Sequence, residues 1–466
     1  MLLQTFLLYP KVESWTIQEE NTSDCCSWDG VECDQQSGNV IELDLSSSCL
    51  YGSINSNSTL LRLSHLRSLN LAYNHFNYSP IPYAIGNLSS IDLVGSYSSQ
   101  LELLLELKTP NLSIFLQNMT NLNQLYLSYV DISSIVPDFL ANFSSLTVIS
   151  LNGCGMYGEF PKAIFQLPNL QVLSLRDNQD LTGYFPEFHI GSPLKQILLW
   201  NTSFSGEIPS SIKRLGSLNM LDRGGCNFSG LIPSSMGKLT RLTYLDLSEN
   251  KFIAQIPYLL QNLTQLTLLI LAQNYFHGVM PSSFSRLVNL EVLILHDNEL
   301  SGAVNFDIFL NMKYLKILDL TANKFSVSIT ETNSTNASVP HFNVLGLGYC
   351  NLRKFPGFLR YQDNLRLLEL VGNQIHGPIP NWLWNISLET IEVLDLGLNF
   401  LTGFGNRPGP VVLPWRRLNI LYLFNDMLKG QLPIPPPSII TYGGCTQRTN
   451  RRNSTPVLQF KFSPIS

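Results

Sequence analysis

The residues that could carry chemistry in this chain are few and dispersed. Seven histidines and eight cysteines are spread over 466 residues, and aspartate recurs in a Leu-Asp-Leu triplet at Asp44, Asp246, Asp319 and Asp395. An acid/base pair, an activated nucleophile or a metal set needs unlike groups at fixed offsets. The chain has no Gly-x-Gly-x-x-Gly with a downstream lysine, no His-Arg-Asp and no His-Glu-x-x-His. The aspartates recur because the phrase around them recurs, which reads as structure and not as a paired-carboxylate site. The expectation is a protein that is not an enzyme, with no catalytic residue, cofactor or metal.

What remains is recognition. Tyr126, Tyr129, Arg176, Trp200 and His296, joined by Asp177, Glu249 and Asp297, interrupt a background of small and polar residues. Exposed aromatics and arginine are the residue types that anchor interfaces. All eight stand at the variable positions of a repeat, and that repeat must position them.

The phrase "LTYLDLSENKFIAQIPYLLQNLTQ", Leu242 to Gln265, begins again at Leu266. The template Leu-x-x-Leu-x-Leu-x-x-Asn/Cys-x-Leu starts at Leu122, Leu146, Leu170, Leu194, Leu218, Leu242, Leu266 and Leu290, each 24 residues after the last. Looser copies start at Leu315, Phe342, Leu365, Ile391 and Leu418, and upstream copies at Val40, Leu66 and, degraded, near Leu88. This is the signature of leucine-rich repeats, one solenoid turn per unit. Alternating positions of "LDL" form a short strand with leucines inward and the intervening residues in solvent. A single turn cannot bury its apolar side, so turns stack. At about 4.8 Å per strand, about 16 turns give an arc of roughly 75 Å. Asn74, Asn178, Asn250, Asn274, Asn298, Asn323, Asn373 and Asn399 turn the chain out of the strand, their amides free to satisfy backbone groups. Cys154, Cys226 and Cys350 hold the same slot, where a small buried thiol fits. Most strands are followed by "GEFP", "GEIP", "GLIP" or "GPIP", in which glycine supplies a tight bend and proline fixes the next segment as non-helical.

Composition agrees with a packed array. Hydrophobic residues make up 44% and charged residues 14%, too apolar for disorder over most of the chain. The net charge of −5 has no basic stripe of the kind nucleic acid requires. No window approaches the run of about 20 apolar residues that spans a bilayer. The opening "MLLQTFLLYPKV" has no basic leader or small-residue cleavage site. Asn-x-Ser/Thr sequons stand at Asn21, Asn57, Asn77, Asn87, Asn111, Asn118, Asn142, Asn201, Asn227, Asn262, Asn333, Asn336, Asn385 and Asn453, several at one phase of the repeat, as in "ANFSSL" and "QNLTQL". That phase belongs on the convex side, and N-glycosylation there argues for an extracellular glycoprotein. The sequon at Asn201 would put a glycan beside Trp200.

"ESWTIQEENTSDCCSWDGVECD", "SSSCLYGSINSNSTL", "FNYSPIP" and "LPIPPPSI", spread over residues 10 to 442, together resemble the plant receptor-like proteins of the immunity type. The Leu-x-Gly-x-Ile-Pro phrase is similar to the plant-specific subclass of leucine-rich repeat. The resemblance implies an α/β solenoid: a right-handed superhelix with a parallel concave β-sheet, a second strand per turn and an N-terminal cap. In such caps the second cysteine of the pair bridges forward, which maps to Cys26–Cys33, while the first pairs with an upstream cysteine that this chain lacks, leaving Cys25 without its partner. The implied organisation is an incomplete cap at 1–39, a solenoid at 40–433, and a divergent tail at 434–466. Within the solenoid, residues 92–121 are degenerate, as if part of a repeat were deleted, and 327–341 and 403–417 loop out, the latter anchored by Trp415. With no segment matching the family's signal peptide, C-terminal cap or membrane helix, the chain reads as a member truncated at both ends.

The function implied is a kinase-less ligand-recognition ectodomain at the outer side of the plasma membrane. It would meet a protein or peptide ligand on its concave face and signal in plant defence through a co-receptor kinase. Two alternatives are a secreted inhibitor of pathogen cell-wall-degrading enzymes and the outer part of a receptor kinase.

Overall fold

Each Leu-x-Leu becomes a three-residue strand, and successive strands stack in parallel with the same template position side by side. The structure, a computed structural model, describes residues 11, 15, 24–53, 58–76, 79–81, 88, 90–93, 105–108, 111–117, 119, 121–330, 339–405, 412–424, 426–429 and 433–443. The chain divides into two units, Met1–Phe342 and Asn343–Ser466.

In the first unit the main sheet runs through strands such as Val172–Ser174, Gln196–Leu198, Met220–Asp222, Tyr244–Asp246, Leu268–Ile270 and Val292–Ile294. The residues facing inward, Leu173, Ile197, Leu221, Leu245, Leu269 and Leu293, are all fully buried. Each contributes about 1.5–3 kcal/mol on leaving water, which is what makes stacking favourable. The 24-residue beat sets the register: Leu245 lies opposite Leu221 and Leu269 because equal turns bring equal positions together.

The asparagines behave as the sequence suggests. Asn250 Nδ2 donates to the carbonyls of Arg223, Leu247 and Ser248 at 2.7, 3.2 and 2.7 Å, and its Oδ1 accepts from Phe228 N at 2.9 Å. Asn274 and Asn298 repeat the arrangement one and two turns on. One side chain thus satisfies buried backbone groups of its own turn and of the preceding one. In the same slot Cys154 and Cys226 aim Sγ at the carbonyls of Leu127 and Leu199, at 3.0 and 3.1 Å, the acceptor position an asparagine would serve.

Beyond the turn, a second parallel sheet of eight strands extends from Gly158–Glu159 to Lys324–Ser328. The glycines of the Gly-x-Ile-Pro phrases have positive φ, +86° at Gly206 and +75° at Gly230, which is why glycine is written there. The proline was expected to leave the next segment non-helical, and the structure corrects this. Pro209, Pro233, Pro257 and Pro281 each cap a five-residue 3-10 helix. Each proline itself stays extended, with ψ from 120° to 148°, and its carbonyl accepts the first bond of the helix that follows, so its ring and missing N–H never enter the helix.

At the N-terminal edge, Val31–Cys33 pairs antiparallel with Val40–Asp44, so the cap covers the first repeat strand. Strand Ser90–Asp92 pairs directly with Gln124–Tyr126, so the degenerate stretch is one turn enlarged to 34 residues. Within it, Leu105–Glu106 pairs with Ser79–Pro80, and Leu112–Leu116 forms one helical turn whose Asn111 cap accepts from Ile114 N at 3.0 Å.

In the second unit, Val344–Gly346, Leu367–Glu369, Val393–Asp395, Ile420–Tyr422 and Thr441–Gly443 stack in parallel. The last of these lies inside 434–466, so the sheet continues into the segment read as a tail. Trp415 is fully buried, donates Nε1 to the Ile386 carbonyl at 2.9 Å and packs 5.5 Å from the Trp384 ring. It anchors the 403–417 loop-out, of which 406–411 lie outside the described residues, as do 331–338 of the other insertion.

Candidate functional site on the outward face of the main sheet

Outward side chains of successive strands lie about 4.8 Å apart, close enough to bond across turns. Ser128 Oγ and Ser150 Oγ share a hydrogen bond of 2.8 Å, and Asn152 Nδ2 donates to Ser150 Oγ at 3.3 Å. Asn152 Oδ1 accepts from Ser174 Oγ at 2.7 Å and from Arg176 N at 2.9 Å. Arg176 then reaches past the turn that carries Leu198 and Trp200, bringing Nη2 to 2.5 Å from Asp222 Oδ2. The contact is a close charge approach and not an aligned hydrogen bond, since Arg176 Nε and Nη2 have no hydrogen-bond partner. A polar chain therefore runs from Ser128 to Asp222.

Asp222 and Asp246 are register partners on neighbouring strands, and both are buried. The Leu-Asp-Leu aspartates were not expected to form a carboxylate pair, and here two Leu-Asp positions do. The same repeat that multiplies the residue also stacks its copies one strand apart. Burial raises both acids; for Asp246 the neighbouring Asp222 charge adds to this, pushing it up to about 7, while Ser248 opposes by donating N and Oγ to Asp246 Oδ1 at 2.8 and 2.6 Å. Arg176 lowers Asp222 against the burial. Tyr244, on the strand of Asp246, has its phenol raised by burial and then by the two carboxylates.

The structure brings some of the expected residues together and separates others. Trp200 and Arg176 sit on adjacent turns. Trp200 is half-buried because its ring lies over Gly224, where an added Cβ would come within 2.8 Å of Trp200 Cδ1. Tyr129 lies in the same way over Gly153. Tyr126 is a register partner of Ser150, at the start of the polar chain, and is half-buried, its phenol raised by burial and then by Asp92. Tyr129, Asp177, Glu249 and Asp297 have φ between +52° and +62°, so they are the turn residues just past each strand. Asp177 there accepts from Asn201 Nδ2 at 2.9 Å. His296 and Asp297 pair with each other at 3.0 Å, five turns beyond Arg176, and form a separate place.

Sequence reasoning passed over Asp222, Tyr244 and Asp246, which look like ordinary repeat residues until stacked. It also passed over Arg223. In "LNMLDRGGC" arginine stands where Leu199 and Leu247 stand in the neighbouring turns. Its side chain is fully buried, with Nε, Nη1 and Nη2 lacking hydrogen-bond partners, and the guanidinium stacks 3.1 Å from the Phe228 ring centroid and 4.1 Å from that of Phe185. The broken leucine beat was the available signal.

Of the sequons, Asn142, Asn262 and Asn385 each end a 3-10 helix and are exposed, away from the strands. Asn227 is exposed on the second sheet, and Asn111 is exposed at its helix cap. Asn201 is half-buried, with Nδ2 engaged by Asp177 and Oδ1 accepting from Gln179 Nε2 at 3.3 Å. Asn21, Asn57, Asn77, Asn87, Asn118, Asn333, Asn336 and Asn453 lie outside the described residues. Cys26 and Cys33 form a disulfide, and Cys25 forms none. Burial pushes the Cys154 thiol up to about 12, which leaves it inert at neutral pH.

Comparison with known proteins fits this geometry. The family described as "Leucine rich repeat N-terminal domain" matches residues 6–34, and "Leucine rich repeat" matches 264–325, with further matches at 65–88, 241–263 and 364–386. The chain is 38% identical to Receptor-like protein 7 of Arabidopsis thaliana over 93% of its own length and 54% of the relative's. It is 40% identical to Receptor-like protein 6 of the same plant over 46% of its length and 24% of the relative's. The chain is similar to the plant leucine-rich-repeat receptor-like proteins. It spans about half the length, or less, of these relatives. Among solved structures, the plant peptide hormone receptor RGFR1 in complex with RGF2 has the same fold, with a TM-score of 0.57 at 23% identity, covering 86% of this chain and 68% of that one. Among the described residues, no helix is long and apolar enough to cross a membrane.

Proposed function

We propose that this chain is the ligand-recognition region of a plant cell-surface receptor-like protein, on the extracellular side of the plasma membrane. It takes a protein or peptide ligand on the outward face of the main sheet and acts in defence signalling through a partner receptor kinase. The observation that carries the reading is the contrast within each strand. Inward positions repeat leucine, while outward positions hold unlike groups, among them Tyr126, Arg176, Trp200, Tyr244 and the Asp222–Asp246 pair. Variation confined to one face of a rigid array suits recognition. The sequons that end 3-10 helices leave that face clear. The receptor-like relatives, including Receptor-like protein Cf-9 of Solanum pimpinellifolium at 36% identity over 45% of this chain and 26% of that protein, support the receptor assignment.

Arg176 neutralises Asp222, so its removal tests folding as well as recognition, and Tyr126 and Trp200 are the cleaner probes. Replacing both by Ala in a membrane-anchored version expressed in leaves should abolish the response to the cognate elicitor while surface expression and Tm stay at the unsubstituted level. A normal response from the double variant would remove recognition from this face.

A further inference from the structure

The outward strand positions of the first unit's main sheet mix polar side chains with apolar ones such as Val148, Val172, Leu198 and Met220, and on two successive turns both positions are apolar. Leu268, Ile270 and Ala272 on one turn, Val292 and Ile294 on the next, and Ile317 on the third form an apolar island. Ile270, Ala272 and Ile294 are buried by packing on one another across the outward face and Leu268, Val292 and Ile317 partly so, while the alternate positions Leu269, Leu271, Leu293, Leu295 and Leu318 fill the interior. Leu268, Val292 and Ile317 are successive register partners, as are Ile270 and Ile294. The middle outward position of five consecutive turns therefore reads Asp222, Asp246, Ile270, Ile294, Asp319. Two isoleucines lie between acids. No described strand of this unit's main sheet carries Lys or Arg at an outward position; Arg176, just past its strand, is committed to Asp222, and Lys316, just before Ile317, pairs with Glu291 at 2.6 Å. Asp246 and Asp319 thus bracket an apolar step with no cation of the strands facing them.

The spacing defines what fits. From Asp246 to Asp319 is three strand intervals, about 14 Å. In an extended peptide lying across the strands, residues i, i+2 and i+4 face the same side and span about 13.6 Å. Residue i+2 then lands between Ile270 and Ile294. We propose that this row seats an extended peptide of the pattern basic–x–apolar–x–basic, each Lys or Arg meeting one aspartate and the central aliphatic or aromatic side chain lying on the isoleucines. The proposal rests on the reading that this face binds the ligand, and names the ligand's chemistry.

The test uses the whole chain secreted from insect cells and three tagged probe peptides, with Lys-Ser-Leu-Ser-Lys, Lys-Ser-Ser-Ser-Lys or Glu-Ser-Leu-Ser-Glu at their centre, read by fluorescence polarisation. The first should bind about tenfold or more tighter than either of the others, and weaken as salt rises. Asp246→Asn with Asp319→Asn should remove that preference. Asp319→Lys should shift preference toward a probe with Lys at one end and Glu at the other, a gain that misfolding does not produce. Equal binding of all three probes, no binding of any, or a preference that survives the Asn substitutions overturns the proposal. The Tyr126/Trp200 response assay is scored separately, so a receptor that loses its response there yet ignores these probes refutes the peptide pattern and not the receptor reading.

Discussion

Two stretches of the same sheet face, Gln124 to Ser248 and Leu268 to Ile317, share one interior and differ on the outside. Both are built on inward leucines and isoleucines at zero exposure, interrupted in the first stretch by Arg223. The first carries a hydrogen-bonded chain from Ser128 to Arg176, whose guanidinium meets Asp222 beside Asp246. The second satisfies itself by lateral apolar contact. The difference teaches that the interior beat specifies the fold and leaves the outward face nearly unconstrained. That freedom differs in cost between the stretches: apolar side chains pack on their register partners, whereas buried carboxylates need a cation or a proton.

The sharpest way to break the comparison lies beneath the polar stretch, at Arg223. A fully buried guanidinium without hydrogen bonds should destabilise its turn, because arginine does not shed its proton and aromatic stacking offsets only part of the desolvation. Arg223→Leu restores the beat and should raise stability by roughly 3 kcal/mol, seen as a higher Tm by calorimetry. An unchanged or lower Tm would mean that the site prefers its arginine.

A smaller effect is expected from Arg176→Met. It leaves the buried Asp222 without its cation and should cost about 2 kcal/mol at pH 8, and less at pH 4, where a carboxylate raised by burial takes up a proton. Equal losses at the two pH values would show that Arg176 acts by packing alone. Smaller again is Asp246→Asn. The folded-state value of about 7 lies above the ordinary 3.8, so the folded chain holds the extra proton between those values. Stability therefore falls as pH rises from about 4 through 7. Asp246→Asn should raise Tm at pH 8, leave it nearly unchanged at pH 4, and flatten the slope between. The apolar stretch has no such pair, and Ile294→Ser should lower Tm equally at both pH values.

Much of this was legible in the sequence. The leucine beat gave the strands and the asparagine slot gave the carbonyl ladder, because each depends on residues close in the chain, while the second sheet was implied by the family resemblance that the Gly-x-Ile-Pro phrase carries. The 3-10 helices after proline were misread, since proline's constraint on φ was weighed and its carbonyl, which accepts the first bond of the helix, was not. Of the candidate site, Arg176 and Trp200 stand out as residue types against a plain background and could be named from the sequence. Asp222 and Asp246 could not, because each is unremarkable within its own turn.

The division has one physical cause. Sequence alone determined which side chains face in and which face out, because alternation along a strand is a local property of the backbone. It also determined the stacking, because a turn that cannot bury its own leucines must use its neighbour's. Only the tertiary structure decided which outward residues meet: that Arg176 passes one turn to reach Asp222, that Trp200 lies on Gly224, and that two isoleucines fall between two acids. Those meetings join positions from 24 to 46 residues apart in the chain and one or two strand spacings apart in space, and that is why no short stretch of sequence announces them.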